Sequence, residues 1–239
     1  MNNINKYVEL SAAMCKFYII LFVLLFSACD KDQFETNKGT FTDDRDGHEY
    51  KWVKIGDQIW MAENLAYVPY VCSPNSGCGI YVYSYSGEGA YGKNYTNYGV
   101  LYDWHTAQEV CPKGWHLATD EEWMTLELFL GMEFNDLDHP NGKGDEVNIG
   151  GKLKDADSGH WDEPNMGATN ETGFSALPGG YLNKYDNRFY GLNRVAAFWT
   201  ASEDEYYRAM NRKYSFHYNG RERESVLKEH GYSVRCIKD

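Results

Sequence analysis

Six cysteines, Cys15, Cys29, Cys72, Cys78, Cys111 and Cys236, constrain this 239-residue chain more than any other set of residues. What they can do depends on the compartment, because disulfides persist only where thiols are not kept reduced. The amino terminus bears on that question. Lys6 and Lys16 are the only cations of residues 1–29, and residues 17–26 then read FYIILFVLLF without a charge. Crossing a bilayer as a stable helix takes about 18 or more apolar residues. A shorter run behind basic residues is the apolar heart of a signal peptide, so export is expected.

The run ends in Ser27-Ala28-Cys29, small residues directly before a cysteine. This resembles a bacterial lipobox, with Phe26 where Leu is more usual. The resemblance implies cleavage before Cys29, a lipid on its sulfur, and a lipid-anchored position at the outer membrane or cell surface. The next stretch, DKDQFETNKGTFTDDRDG, has little to bury and reads as a tether, with Asp30 and Asp32 part of a solvated linker. The expected organisation is a lipoprotein signal peptide (1–28), a lipidated cysteine with a flexible tether (29–46), and one domain (47–239).

Removing Cys15 with the signal and lipidating Cys29 leaves four cysteines, which permit three pairings. Cys72 and Cys78 flank SPNSG, a turn-forming sequence that brings them together locally. Cys111 then pairs with Cys236, and closing so long a loop removes roughly 4–5 kcal/mol of unfolded-state entropy. Zinc fits poorly: neither pair has CxxC spacing and no histidine stands at ligand spacing beside them.

Residues 48–61, HEYKWVKIGDQIWM, alternate and turn at Gly56-Asp57, as a hairpin does. Residues 70–99 are rich in Tyr, Ser and Gly, lack periodicity, and are expected at the surface. Residues 101–110 suit a short helix. Thr119 and Glu122 form a capping box, after which Trp123, Leu126, Phe129 and Leu130 are expected on one face before Gly131 ends the helix. Residues 132–148 read as a polar loop and 147–155 as a short helix. From about 173 the pattern is β, in short runs separated by turn residues. Segregated hairpin, helices and strands make an α+β fold.

Six ordered blocks now carry a resemblance: VKIGDQIWMAENL (53–65), YGVLYDWHTA (98–107), CPKGWHLATDEEW (111–123), GFSALPGGY (173–181), FWTASE (198–203) and GYSVRCIKD (231–239). Together they closely resemble the Fibrobacter succinogenes major paralogous domain of exported Bacteroidetes and Fibrobacteres proteins, over about residues 41–239. That resemblance implies no defined reaction. The Trp-His-Leu-x-Thr-x-x-Glu-Trp segment and the terminal Val-Arg-Cys are similar, more distantly, to the C-type-lectin and formylglycine-generating-enzyme group. The fold so implied is a C-type-lectin-like domain with an N-terminal hairpin, two to three helices and a C-terminal antiparallel β meander. Formylglycine-generating enzymes use a reactive cysteine pair near the chain end. Here only Cys236 lies there, engaged with Cys111, so that activity does not carry over.

Other chemistry is thinly represented. There is no GxSxG, HExxH or phosphate-binding glycine loop, so an enzyme is not expected and no cofactor is implied. The net charge of −12 disfavours nucleic acid, since nothing replaces the phosphate counterions. The cations of 221–228 are interleaved with Glu222 and Glu224. Asp136, Asp138, Asn141, Asp145 and Glu146 crowd a loop, but Pro140 breaks the EF-hand order, so a solvated acidic loop is expected rather than a metal site. In 42–47 Val53 stands where a bidentate Glu would be needed, leaving an Asp-Gly turn. His116, beside Trp115, is expected to be buried and hydrogen-bonded.

Aromatics make up 16% of the chain, and residues 181–218 mix them with amide and guanidinium donors, as recognition surfaces do. Tyr185, Asn187, Arg188, Tyr190, Tyr206, Tyr207, Arg208, Arg212, Tyr214 and Tyr218 are the ligand-binding candidates. The competing reading is a meander whose aromatics pack across strands. The function this favours is a membrane-anchored extracytoplasmic binding module for a glycan or surface protein. The alternative is a structural envelope or filament subunit without a small ligand.

Overall fold

The computed structural model describes residues 37–85, 92–156 and 159–239. The expected signal peptide and the lipidation expected at Cys29 fall outside the described residues. Among the described residues no helix is long and apolar enough to cross a membrane.

The alternating stretch forms the expected hairpin, β2 (Glu49–Ile55) and β3 (Gln58–Met61), with Ile55 opposite Gln58. Gly56 takes φ +60° at the turn, a left-handed conformation that suits glycine. The ordered domain starts before residue 47: β1 (Lys38–Thr42) lies within the stretch expected to be tether and pairs antiparallel with β2. Composition concealed it because β1 is held by backbone hydrogen bonds rather than burial. Its Phe41 alone packs strongly, with its ring centroid 4.5 Å from Trp115 and 5.5 Å from Tyr50.

Residues 70–99 are not all at the surface, where their composition led one to expect them. Ile80, Tyr81 and Val82 are core residues, and β4 (Ile80–Tyr81) pairs with β5 (Leu101–Tyr102). Strands of two residues are too short to leave an alternation in the sequence. Helix α1 (Gly92–Tyr98) belongs to the same stretch, and 101–110 is only partly helical: β5 precedes the single turn α2 (Trp104–Ala107), capped by the Asp103 carboxylate.

Helix α3 (Asp120–Phe129) has the capping box, with the Thr119 hydroxyl accepting from the Glu122 amide and the Glu122 carboxylate accepting from the Thr119 amide. Trp123, Leu126 and Leu130 are buried as expected, but Phe129 is 63% exposed. At 3.6 residues per turn Phe129 stands about a third of a turn from Trp123, and Glu127 is buried beside Trp123 in its place. Residues 134–136 form a 3₁₀ turn, β7 (Asn141–Lys143) interrupts the expected loop, and α4 (Ile149–Leu153) is the expected short helix. With β6 (Trp115–Leu117) this makes an α+β fold, mostly strands with four short helices.

The carboxyl-terminal strands are β8 (Gly179–Asn183), β9 (Arg188–Leu192), β10 (Val195–Glu205), β11 (Arg208–Ser215), β12 (Arg221–Leu227) and β13 (Cys236–Lys238). They are not a simple antiparallel meander. The six-stranded order is β7-β12-β11-β10-β8-β9, in which β8 runs parallel to β10. β12, whose alternating charges hid it, pairs along β11. β13 leaves that sheet and enters the other, between β3 and β6, in the order β1-β2-β3-β13-β6.

Two buried clusters result, one around Tyr50, Tyr81, Tyr102, Trp199 and Tyr232, the other around Trp60, Trp123, Phe174 and Phe198. Both disulfides form as expected, Cys72 with Cys78 and Cys111 with Cys236, the latter spanning 125 residues. Replacing Cys111 and Cys236 together by Ser is expected to cost about 5 kcal/mol, against a smaller loss for the short loop. Chemical denaturation of the two variants, with a non-reducing peptide map of the parent, checks the ranking.

Candidate functional site

The site candidates divide by strand geometry. In β8–β9 the turn spans residues 184–187, with Asn187 at φ +58°. The Asn183 carboxamide accepts from the Tyr185 amide at 2.9 Å, and Tyr190 Oη donates to Asp186 at 2.5 Å. Tyr185 is 72% exposed, and Arg188 and Tyr190 are also exposed. In β10–β11 a two-residue turn carries Tyr206 and Tyr207, 79% and 65% exposed, their rings edge to face at 4.6 Å. Both hairpin ends rest on residues 228–230. The Lys184 amide donates to His230 Nδ1 at 3.0 Å, and the Tyr185 ring meets the His230 ring at 5.3 Å. Burial lowers the His230 pKa, favouring the neutral ring whose Nδ1 accepts this bond. The Lys228 amide donates to the Tyr207 carbonyl, and its ammonium donates to the Tyr206 carbonyl, both at 3.0 Å, while also pairing with Glu203. Lys184 Nζ ties the first hairpin to the disulfide loop through the carbonyls of Pro74 and Ser76.

Five candidates therefore stand exposed on two hairpins: Tyr185, Arg188, Tyr190, Tyr206 and Tyr207. The others are spent internally. Asn187 fills the left-handed turn position, Arg208 lies along Ser225, and the Tyr218 hydroxyl donates to Asp145 at 3.1 Å. Arg212 and Tyr214 are fully buried, which removes them as ligand contacts. Residues two apart share one face of a strand, and this face looks onto α3. Arg212 Nε donates to Glu127 at 2.6 Å and Nη1 to Asp120 at 2.5 Å, while Arg223 Nη2 donates to Asp120 at 2.7 Å. Burial alone would raise the Asp120 pKa, but Arg212 and Arg223 hold it below the usual carboxylate value. The one available signal was Glu127, four residues beyond Trp123 on an otherwise apolar helix face.

The acidic loop is organised by a guanidinium. Buried Arg221 donates to the carbonyls of Asp136, Leu137, His139 and Asn141 at 2.9, 2.6, 3.0 and 3.3 Å, and Asp136 pairs with Lys143 at 2.9 Å. Among the described residues no three His, Cys, Asp or Glu are grouped to hold a metal. Two further buried cations escaped the sequence reading. Lys154 Nζ donates to the carbonyls of Met166, Ser215 and Tyr218 at 2.8, 3.0 and 3.0 Å, and burial lowers its pKa to about 8. Arg235, also fully buried, is lowered by the same cause to about 9.

His116 is hydrogen-bonded but not buried. Its side chain is 41% exposed, with Nδ1 2.8 Å from Asp239 and Nε2 2.9 Å from Glu122. Partial burial lowers its pKa, and the two carboxylates outweigh that and raise it.

The geometry is thus a disulfide-closed α+β domain with a Tyr-rich rim on two hairpins. The chain belongs to the Fibrobacter succinogenes major domain family, whose model matches residues 53–238. No curated protein and no solved structure matches it.

Two outcomes follow from the charges. Glu127→Gln strips the buried counter-charge from Arg212 and Arg221 and is expected to destabilise the fold by about 3–5 kcal/mol, read by urea denaturation. A raised folded-state pKa makes the His116 contribution fully present below its unfolded value and lost as pH climbs through the folded one. The stability difference between wild type and His116→Gln should therefore shrink as pH rises from about 6.5, the ordinary imidazole value, into the alkaline range. Melting temperatures across that range check it, and a gap that widens with pH contradicts the assignment.

Proposed function

We propose that this protein is a lipid-anchored, extracytoplasmic binding module with a C-type-lectin-like fold, presenting its Tyr-rich rim to a glycan or a surface protein. The observation that carries the reading is the gathering of exposed tyrosines from two hairpins against one segment, residues 228–230. Exposed rings lose apolar contact with nothing in return unless a partner covers them. Tyr is also costly to expose but cheap to immobilise, which suits it to recognition. The rim is braced: Lys184 ties one hairpin to the Cys72–Cys78 loop, and Lys228, paired with Glu203 of β10 and bonded to the Tyr206 and Tyr207 carbonyls, holds the other, so little ordering is left to do on binding. The disulfides suit an oxidising compartment. A cysteine on the terminal strand bonded to Cys111, which precedes β6 and the capped helix, suits the lectin-like arrangement. The reading is of a binder rather than a catalyst, held at the outer membrane or cell surface through Cys29.

The full-length chain reconstituted in vesicles, probed with a glycan array and with isolated envelope proteins, is expected to show saturable binding. Tyr185→Ser combined with Tyr206→Ser and Tyr207→Ser should weaken it by about tenfold or more at unchanged melting temperature. Cys29→Ser should release the chain from the membrane fraction without altering the affinity. Absence of saturable binding on both panels, or binding indifferent to all three tyrosines, overturns the proposal.

A further inference from the structure

A groove of about 570 Å³, lined by no residue of the Tyr-rich hairpin turns, opens between strands β1 and β2 on one side and the stretches around Asp155 and Gly173 on the other. The half-buried Trp52 lines it. Trp52 stands cross-strand from Gly39, where an added Cβ would lie 2.7 Å from the indole, so only glycine lets the ring lie against β1. Its Nε1 donates to the Thr40 carbonyl at 3.3 Å. The ring is thereby fixed in place, one face covering the glycine and the remainder lining the groove.

One buried group holds two of the segments that line the groove, residues 61–64 after β2 and residues 173–175 opposite. The Arg235 guanidinium donates to the Met61 carbonyl at 3.0 Å and the Asn64 carboxamide at 2.9 Å. On the other side it donates to the carbonyls of Phe174 and Ser175 at 2.5 and 2.6 Å. The groove is therefore preformed. Its charges answer one another: Glu63 pairs with Lys51 at 3.2 Å, and Glu63 and Asp155 together face the buried Arg235. A cationic ligand would meet Lys38 and Lys51, and an anionic one Glu63 and Asp155, so a neutral, hydroxyl-rich ligand fits best.

We propose that this groove binds a neutral saccharide, one pyranose laying its C–H face on Trp52 while its hydroxyls donate to the carboxylates of Glu63 and Asp155. A flat aromatic surface beside a few placed polar groups, in a cleft of this size, is the usual make-up of a small-ligand site. The inference rests on the binding-module reading and deepens it, but it uses residues outside the Tyr-rich rim.

The test titrates the full-length chain in detergent with neutral tetrasaccharides (cellotetraose, mannotetraose, xylotetraose, maltotetraose) and with tetragalacturonate as the charged counterpart. The Trp52 indole N–H resonance, assigned through Trp52→Phe, is followed by NMR. A neutral tetrasaccharide is expected to shift it saturably. Trp52→Ala, and Gly39→Val, which pushes the indole aside, are each expected to weaken binding about tenfold or more. The triple Tyr→Ser variant of the rim should titrate like wild type. Should Trp52→Ala fail to fold, the wild-type resonance and Gly39→Val decide. An indole unmoved by all four neutral sugars, tighter binding of tetragalacturonate, or wild-type affinity in a folded Trp52→Ala overturns the proposal. Saccharide binding that survives while rim-dependent capture is absent sinks only the rim reading. The reverse pattern sinks only the groove.

Discussion

Residues 231–237 are a seam on which the whole domain depends. The Tyr232 amide and carbonyl exchange hydrogen bonds with Tyr102, and Ser233 bonds to Ala197 and Trp199 of β10. The Val234 carbonyl accepts from Leu65, and Ile237 pairs with Trp60 of β3 and His116 of β6. One short stretch thus satisfies backbone groups of both larger sheets, which buried polar atoms require. Between two of these positions Arg235 reaches four further acceptors, and Cys236 adds a covalent bond to Cys111.

Guanidinium and ammonium groups do here what metal ions do in many small domains. Arg221 gathers four carbonyls of an acidic loop, Lys154 gathers three, and Arg235 gathers three carbonyls and a carboxamide. A planar guanidinium offers five donors in a fixed fork, so one side chain can organise irregular backbone lacking strand or helix partners. Desolvation is the cost, visible in the lowered pKa of Lys154 and Arg235. Arg212 bears the same burial, but Glu127 and Asp120 more than offset it and raise its pKa.

Local signals were legible and long-range ones were not. The Gly56-Asp57 hairpin and the Thr119 capping box are short-range chemistry and stand where the residues put them. Both cysteine pairings were accessible by arithmetic. β1 was not, because an edge strand needs no apolar pattern, and Ile80 to Val82 were not, because their burial comes from contacts far along the chain. At the rim, Tyr185, Arg188, Tyr190, Tyr206 and Tyr207 could be picked out by residue type. Composition could not distinguish them from Arg212 and Tyr214, whose burial follows from the parity of β11 against a helix more than 80 residues upstream. Trp52 gave no sign at all, since its setting is made by Gly39 and Thr40 of the neighbouring strand.

The position of the seam governs how this domain comes into being. A polypeptide delivered amino end first holds β1 to β3 and the later hairpins as separate pieces, with neither cluster sealed, until residue 237 arrives. Closure is therefore late and dominated by pairings of great sequence separation, the kind that slow folding and lower its commitment along the way. The bond from Cys236 back to Cys111 can likewise form only once the last strand has been made.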